Sequence, residues 1–465
     1  MNALRHELPT AMRRLARAPG FSFAVVGFLG VAIAALLAVA AAAYGLWLRP
    51  LPYPDAERLV DIGGQSRAMS FSLGLSAPLI AELEQAYPGL AAYGAWERRR
   101  SEEGLVPTSL TPGALEALGV APRLGRVFDA AAMDAEADSL LISEALWVSR
   151  FGRDPAVIGR TLEYAGRERR IVGVMPASFR FPDGRANAWL PLHLTAEDTA
   201  PQNAQVFGGL KVVARLAPDG SVAALDAALQ ARYGTDERIA GIREHMKLVF
   251  EAIPLRAALA GAKAGIVGLL GVAVAIVLLT TLANLANLWL TRALARQREL
   301  ALASALGASA ARAGASVFAE VLVLTIAASL VGLALAPLVL AALHAAGVLE
   351  VGSALVVEID APMVALSVLL SLGLSLALAL PAWWLVRRAS GIEALRQGPS
   401  VLADRPALAR ARRALIAVQI AAAFALLGSG GLLLRSLDAM LREDTGFDRH
   451  GTLLASIEPK VALER

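Results

Sequence analysis

Five stretches of this 465-residue chain contain no Asp, Glu, Lys or Arg: Phe21–Leu48, Ala264–Thr291, Val321–Leu343, Ala361–Val386 and Ala414–Leu434. A helix rises about 1.5 Å per residue, so each stretch is long enough to cross a hydrocarbon layer of about 30 Å. The arginines between them then fix orientation. Arg5, Arg13, Arg14 and Arg17 precede the first stretch, and Arg292, Arg296, Arg298 and Arg312 separate the second from the third. Seven more, from Arg387 to Arg413, lie between the fourth and fifth. The connection Gly347–Asp360 carries only Glu350, Glu358 and Asp360. Positive charge in short loops stays on the cytoplasmic side. The pattern therefore predicts a cytoplasmic N-terminus, a large segment outside the membrane after the first span, and further crossings after it.

The expected organisation is a cytoplasmic amphipathic helix (1–20), a first span (21–48), an extracytoplasmic α+β domain (49–262) and a second span (263–291). A cytoplasmic elbow (292–316), a third span (317–346), a short outer loop (347–360) and a fourth span (361–386) follow. The chain continues through a cytoplasmic linker (387–413), a fifth span (414–434) and an outer stub (435–465). A hydrophobic fraction of 56% and a mean hydropathy of +0.56 suit this membrane class. The first stretch far exceeds a signal-peptide core of about 7–15 residues, so it reads as an uncleaved span.

Net charge is only +4, and the basic surplus sits beside the spans, where anionic lipid accounts for it. No basic face with interleaved aromatics marks a nucleic-acid surface. Cysteine is absent, which excludes disulfides, zinc–thiolate sites and thiol nucleophiles. The outer domain must therefore stand on its own core, and at roughly 215 residues it is large enough to do so. In this background a cysteine at Ser109 or Ser353 should label from outside, and one at Ser304 should be protected.

Within 49–262, Pro78–Ala86 reads as a short helix, and Ser139–Ile142 as a strand feeding a helix that carries Trp147 and Phe151. Thr161–Tyr164 and Arg170–Val174 flank Ala165–Gly166 as a β-hairpin. Leu210–Leu216 is a strand, Ser221 caps a helix through Arg232, and Lys247–Ile253 is a strand leading back to the membrane. Strands mixed with helices predict an α+β domain in two lobes. Near the N-terminus, Leu4, Leu8, Met12 and Leu15 fall at helical spacing, and Pro9 predicts a bend or a late helix start.

Catalytic patterns are missing. The chain has four lysines, none in a phosphate-binding Gly-rich loop. The five histidines are scattered without metal-ligand spacing, and no nucleophile elbow occurs. The chain itself is not expected to be an enzyme or to hold a cofactor or metal. Polar residues inside the spans are few. Thr280, Asn284 and Asn287 share one helix face at i, i+4 and i+7. They would line a polar path or, more simply, bond neighbouring helices, since no ionisable residue joins them. Glu320, at the start of the third span, is either an interfacial charge or a partner for the elbow arginines.

The segment Ala283–Thr325 (ANLANLWLTRALARQRELALASALGASAARAGASVFAEVLVLT) resembles the signature of MacB/FtsX-type ABC transporter permeases, and Leu380–Gly398 is similar to the end of that family's last span. Arg14–Phe23 and Leu48–Val60 look like its duplicated, single-chain branch, often called orphan permeases. Leu110–Phe128 and Ile171–Pro182 look like that branch's periplasmic domain. One departure falls just before Ala305-Leu306-Gly307-Ala308, where the family carries Arg and this chain has Ala303 and Ser304.

The resemblance implies a bacterial inner-membrane permease: five membrane helices, the last opening a second copy, with the α+β periplasmic domain inserted between helices 1 and 2. Residues 405–465 look like the start of that copy, so the sequence reads as a truncated product or a fragment. The resemblance also implies a cytoplasmic ABC ATPase partner that binds ATP and Mg²⁺, a second permease half or second copy of the chain, and a possible periplasmic adaptor. Arg296, Arg298, Glu299, Leu302, Leu306 and Gly307 become the expected ATPase-coupling residues. Efflux or extraction of a periplasmic substrate is the first functional expectation. A mechanotransmitting signalling module without transport, and a non-functional truncation, are the alternatives.

Overall fold

The computed structural model describes residues 2–67, 71–102, 104–133, 135–205, 209–261, 263–295, 310–346, 357, 359–389 and 406–442. In chain order the elements begin with α1 (Asn2–Ala16) and α2 (Pro19–Ala43). Next come β1 (Leu59–Ser66), β2 (Phe71–Leu73), α3 (Ala77–Ala81), α4 (Leu83–Ala86), β3 (Leu90–Arg98) and β4 (Pro107–Leu110). They are followed by α5 (Pro112–Leu118), β5 (Leu124–Gly125), β6 (Ser139–Ser143), α6 (Glu144–Phe151), β7 (Thr161–Tyr164), β8 (Arg167–Met175) and β9 (Ala188–Pro191). Then come β10 (Lys211–Leu216), α7 (Val222–Tyr233), α8 (Ala240–Met246), β11 (Leu248–Pro254) and α9 (Leu255–Ala260). Four long helices complete the chain: α10 (Lys263–Ala295), α11 (Ala310–Ala345), α12 (Ala361–Ala389) and α13 (Pro406–Arg442). They fall into two compact units, one holding Met1–Gly45 with the helices from Lys263 onward, the other centred on Leu46–Ala262.

In the helical unit four segments are long and apolar enough to cross a membrane: Pro19–Leu48, Lys263–Trp289, Ser316–Ala345 and Ala361–Leu380. The fifth expected span falls on α13, whose apolar stretch Ile416–Leu432 is shorter than the other four. Small residues let α2 and α11 approach closely. A Cβ placed on Gly332 would lie 2.7 Å from Ile33 Cγ2, and one on Gly30 would lie 2.9 Å from Val331 Cγ1. Leu29, Ile33, Leu37, Leu324 and Ala328 fill the seam around them. Without a hydrophobic drive between helices in lipid, close backbone approach and dispersion supply the attraction. α1 is helical on both sides of Pro9, so the helix does not start late; Pro9 is the eighth of its fifteen residues, where its missing N–H leaves the Arg5 carbonyl without the usual helical donor.

The second unit is built on one mixed sheet in the order β11–β1–β10–β3–β4–β9–β6–β8–β5, with β2 on the edge of β1 and β7 on β8. β4 pairs β9 and β6 pairs β8 in parallel; the other pairs are antiparallel. Two cores lie along this sheet, as two lobes would require. One gathers Val60, Ile62, Leu83, Val212, Tyr233 and Phe250, and the other Leu140, Ile142, Trp147, Ile171, Val174 and Leu190.

Local chemistry explains the elements. Ser143 Oγ accepts from the Leu146 amide at 3.1 Å and starts α6, and Ser221 Oγ accepts from the Ala224 amide at 3.2 Å and starts α7. Ala165 and Gly166 both take positive φ, 53° and 71°, as a two-residue hairpin between β7 and β8 requires. α5 lies flush on β3 because Gly94 and Gly113 face each other. A Cβ on Gly94 would fall 2.1 Å from the Ala114 nitrogen. The strands β1, β3, β4 and β9 go beyond the elements expected from sequence. β1 is buried almost end to end, so it lacks the alternation that marks a half-exposed strand.

One expectation needs correction. Ser109 is buried in β4, and its hydroxyl accepts from Arg99 Nε at 2.9 Å. A cysteine there reports burial, not sidedness. Ser353 and Ser304 lie outside the described residues.

Candidate coupling site

The expected ATPase-coupling residues Arg296, Arg298, Glu299, Leu302, Leu306 and Gly307 lie outside the described residues. The helices that flank them are described. α10 continues to Ala295 and α11 starts at Ala310, so both extend into the expected elbow.

On α10, Thr280 Oγ1 donates to its own helix at Ile276 O, 2.8 Å away, and Thr281 does the same to Val277 O at 2.8 Å. A threonine hydroxyl in a helix readily satisfies itself on the preceding turn, which leaves less for a neighbour. Asn284 is exposed, and Asn287 Oδ1 is buried without a hydrogen-bond partner. Thr280, Asn284 and Asn287 thus share a face of α10, but among the described residues no hydrogen bond ties them to another helix.

The polar bonds between spans lie elsewhere. The hydroxyls of Thr325 on α11 and Ser375 on α12 are 2.6 Å apart, and Ser371 Oγ donates to Ser329 Oγ at 2.6 Å. All four residues are buried. Sequence reading missed this seam. Its signal is the four-residue recurrence of Ser367, Ser371 and Ser375 on one helix face inside an uncharged run.

Glu320 sits one turn into the apolar part of α11, with its side chain 2% exposed. Arg14 Nη1 on α1 donates to Glu320 Oε1 at 3.3 Å and to Ser316 Oγ at 2.8 Å. Of the two sequence readings, a charge lying free at the interface does not fit this burial. Ala11 and Leu15 on the same side of α1 are buried, while Met12, Arg13 and Arg17 are exposed. Where α1 passes into α2, Phe21 meets Trp289 of α10 edge to face, with ring centroids 5.8 Å apart.

In the second unit, the strand that receives the chain and the strand that returns it are neighbours. β1 pairs antiparallel with β11 from Val60↔Pro254 to Ser66↔Leu248. The segment ahead of β1 is pinned by two arginines. Arg58 Nε and Nη2 donate to Leu216 O at 2.8 and 2.6 Å. Arg215 Nε donates to Ala117 O at 2.8 Å, and its Nη1 reaches Asp55 O at 3.3 Å. Burial, together with the nearby Arg58 charge, pulls the Arg215 guanidinium below its ordinary pKa.

Behind β11, Arg238 grips Glu82 through both nitrogens, at 2.8 and 2.9 Å, and Asp236 at 2.6 Å. The hydrogen bonds from Arg238 hold both carboxyls below the usual range. Asp61 on β1 shows the opposite effect. Burial pushes its carboxyl up to about 6, with Lys211 pulling only partly the other way. Among the described residues no group of three or more His, Asp or Glu side chains converges as a metal site.

Comparison with known proteins supplies the missing context. Residues 22–232 match the family described as the MacB-like periplasmic core domain, and residues 271–391 match the FtsX-like permease C-terminal family. Among curated proteins none matches. Several solved structures are similar at low identity. A permease-protein domain from Porphyromonas gingivalis is 21% identical, with 43% of this chain and 92% of that one covered and a TM-score of 0.32. The periplasmic region of MacB from Actinobacillus actinomycetemcomitans is 11% identical, with coverages of 46% and 95% and a TM-score of 0.31. The extracellular domain of the noncanonic ABC-type transporter YknZ from Gram-positive bacteria is 12% identical, with coverages of 42% and 99% and a TM-score of 0.29.

Proposed function

Because the chain belongs to the MacB/FtsX-type ABC permeases, we propose that it is the inner-membrane permease subunit of such a system. In this reading it couples ATP hydrolysis by a cytoplasmic partner ATPase to movement of its periplasmic domain. The observation that carries the reading is the order of the two family matches in one chain: the periplasmic core at 22–232, then the permease region at 271–391. The multi-pass membrane character of the chain fits that order.

The geometry of the second unit supports a mechanical role. Its incoming and outgoing strands, β1 and β11, are hydrogen-bonded to each other over seven residue pairs. A displacement delivered through α2 and α10 therefore reaches two strands that are hydrogen-bonded neighbours at one end of the sheet, not two separate corners. Arg58 and Arg215 tie the incoming segment to the same lobe. The chain has no nucleotide-binding loop, so ATP and Mg²⁺ belong to the partner. Substrate is handled by the domain outside the bilayer core, in an efflux or extraction cycle. A second permease half, or a second copy of this chain, completes the transporter, and a periplasmic adaptor is a further candidate partner.

ATPase contact is assigned to Arg296, Arg298, Glu299, Leu302, Leu306 and Gly307. The test is co-purification of the full chain with the ATPase. The double variant Glu299→Lys, Leu306→Asp is expected to abolish it by placing a repelling charge and a buried carboxylate at the contact. Undiminished co-purification rejects the assignment.

A further inference from the structure

The clasp between Arg14 and Glu320 joins positions 306 residues apart in sequence. Glu320 follows, thirteen residues on in sequence, the last residue to which ATPase contact has just been assigned, Gly307. Glu320 is buried on α11, ten residues into that helix from Ala310, and no Lys or Arg of α11 itself lies beyond Arg312. A carboxylate withdrawn from water needs a counter-charge and a second donor. Arg14 supplies the charge, while remaining 45% exposed itself, and shares its Nη1 with Ser316 one turn earlier. Farther along, α2 is fixed to α11 a second time, by the close approach of Gly30 and Gly332. α1 and α2 therefore meet α11 at two separated points, one ionic and one steric.

We propose that Arg14 is a positioning residue: through Glu320 it fastens the N-terminal helix to the first turns of α11, so that α1 shifts together with the span that follows the ATPase-contacting segment. The ATPase clause rests on the functional reading above. The fastening does not, and it is tested on the chain alone.

The absence of cysteine makes the test direct. Ala11 is buried against the bundle, so an Ala11→Cys reporter in the solubilised full chain should react slowly with a maleimide. Glu320→Gln and Arg14→Gln are each expected to speed that labelling by about tenfold, through loss of the ion pair. Combining them should add almost nothing to either alone, because both remove one interaction. A Ser375→Cys reporter, fully buried between α11 and α12, should stay protected throughout.

Slow labelling at Ala11→Cys in both single variants overturns the proposal. So do additive effects in the double variant, which would mean that the two residues act independently. Exposure of Ser375→Cys alongside Ala11→Cys also overturns it, since Glu320 would then hold the bundle generally and not α1. None of these readouts involves an ATPase, so failure here is distinct from failure of co-purification.

Discussion

Two helices of the same membrane unit differ sharply. Half of the apolar stretch of α2 is buried against its neighbours, whereas only 6% of that of α10 is. Both are equally apolar, with a mean hydropathy of 2.7. Hydrophobicity therefore does not decide which span packs. Small residues placed opposite one another do, since lipid tails are as apolar as leucine and reward only close approach. α2 meets α11 through Gly30 and Gly332, while Gly265 and Gly268 of α10 face open space. The contrast sets a tightly seated core around α2 and α11 against α10, which touches that core through Leu285 and Trp289 and leaves most of its surface uncovered.

The contrast can be broken directly. Gly332→Leu drives a side chain into Ile33 and is expected to cost about 3 kcal/mol of stability, the upper range for overpacking, measured as a fall in the melting temperature of the solubilised chain. If the melting temperature does not move, the seam is looser than described.

An effect of similar size separates the α/β domain from the helices. Asp61 titrates near 6 when folded and near 3.8 when unfolded, so the folded state holds its proton longer. Its contribution to stability is therefore lost as pH rises from about 4 through 6. Asp61→Asn should stabilise the domain by about 3 kcal/mol at pH 7.5 and change little at pH 4. Equal effects at both pH values would remove burial as the cause.

The smallest effect completes the comparison. Gly268→Leu on α10 has nothing within 4 Å to strike and should stay within about 0.5 kcal/mol of the parent. A loss as large as that of Gly332→Leu would show that α10 is covered at Gly268 as well.

Much of this organisation was legible in the sequence, and the gaps have physical causes. Of the five uncharged runs, four fall on helices long and apolar enough to cross a membrane, and the fifth falls on the shorter apolar stretch of α13. Turn and cap chemistry located the β7–β8 hairpin and the start of α7, where Ala165–Gly166 and Ser221 act locally. The fully buried strand β1 had no period to read. The partnership of Glu320 with Arg14 was hidden for a different reason. Its two charges lie 306 residues apart, and the elbow arginines were nearer in sequence and equally plausible. The hydroxyl seam of Ser329, Ser371, Thr325 and Ser375 needed two helices to be set side by side before its spacing carried meaning. The polar face of α10 was found from spacing, but spacing could not say that Thr280 would bond its own backbone.

The functional account stands on the two ends of the coupling lying on opposite sides of the membrane. Ser101 in the α/β domain and Ala16 on α1 are both exposed, so cysteines at these positions report sidedness without competing burial. With an impermeant maleimide on intact spheroplasts, Ser101→Cys should label at once and Ala16→Cys only after the membrane is opened. Labelling of both in intact spheroplasts, or of Ala16→Cys alone, would contradict the coupling of an outer domain to a cytoplasmic motor.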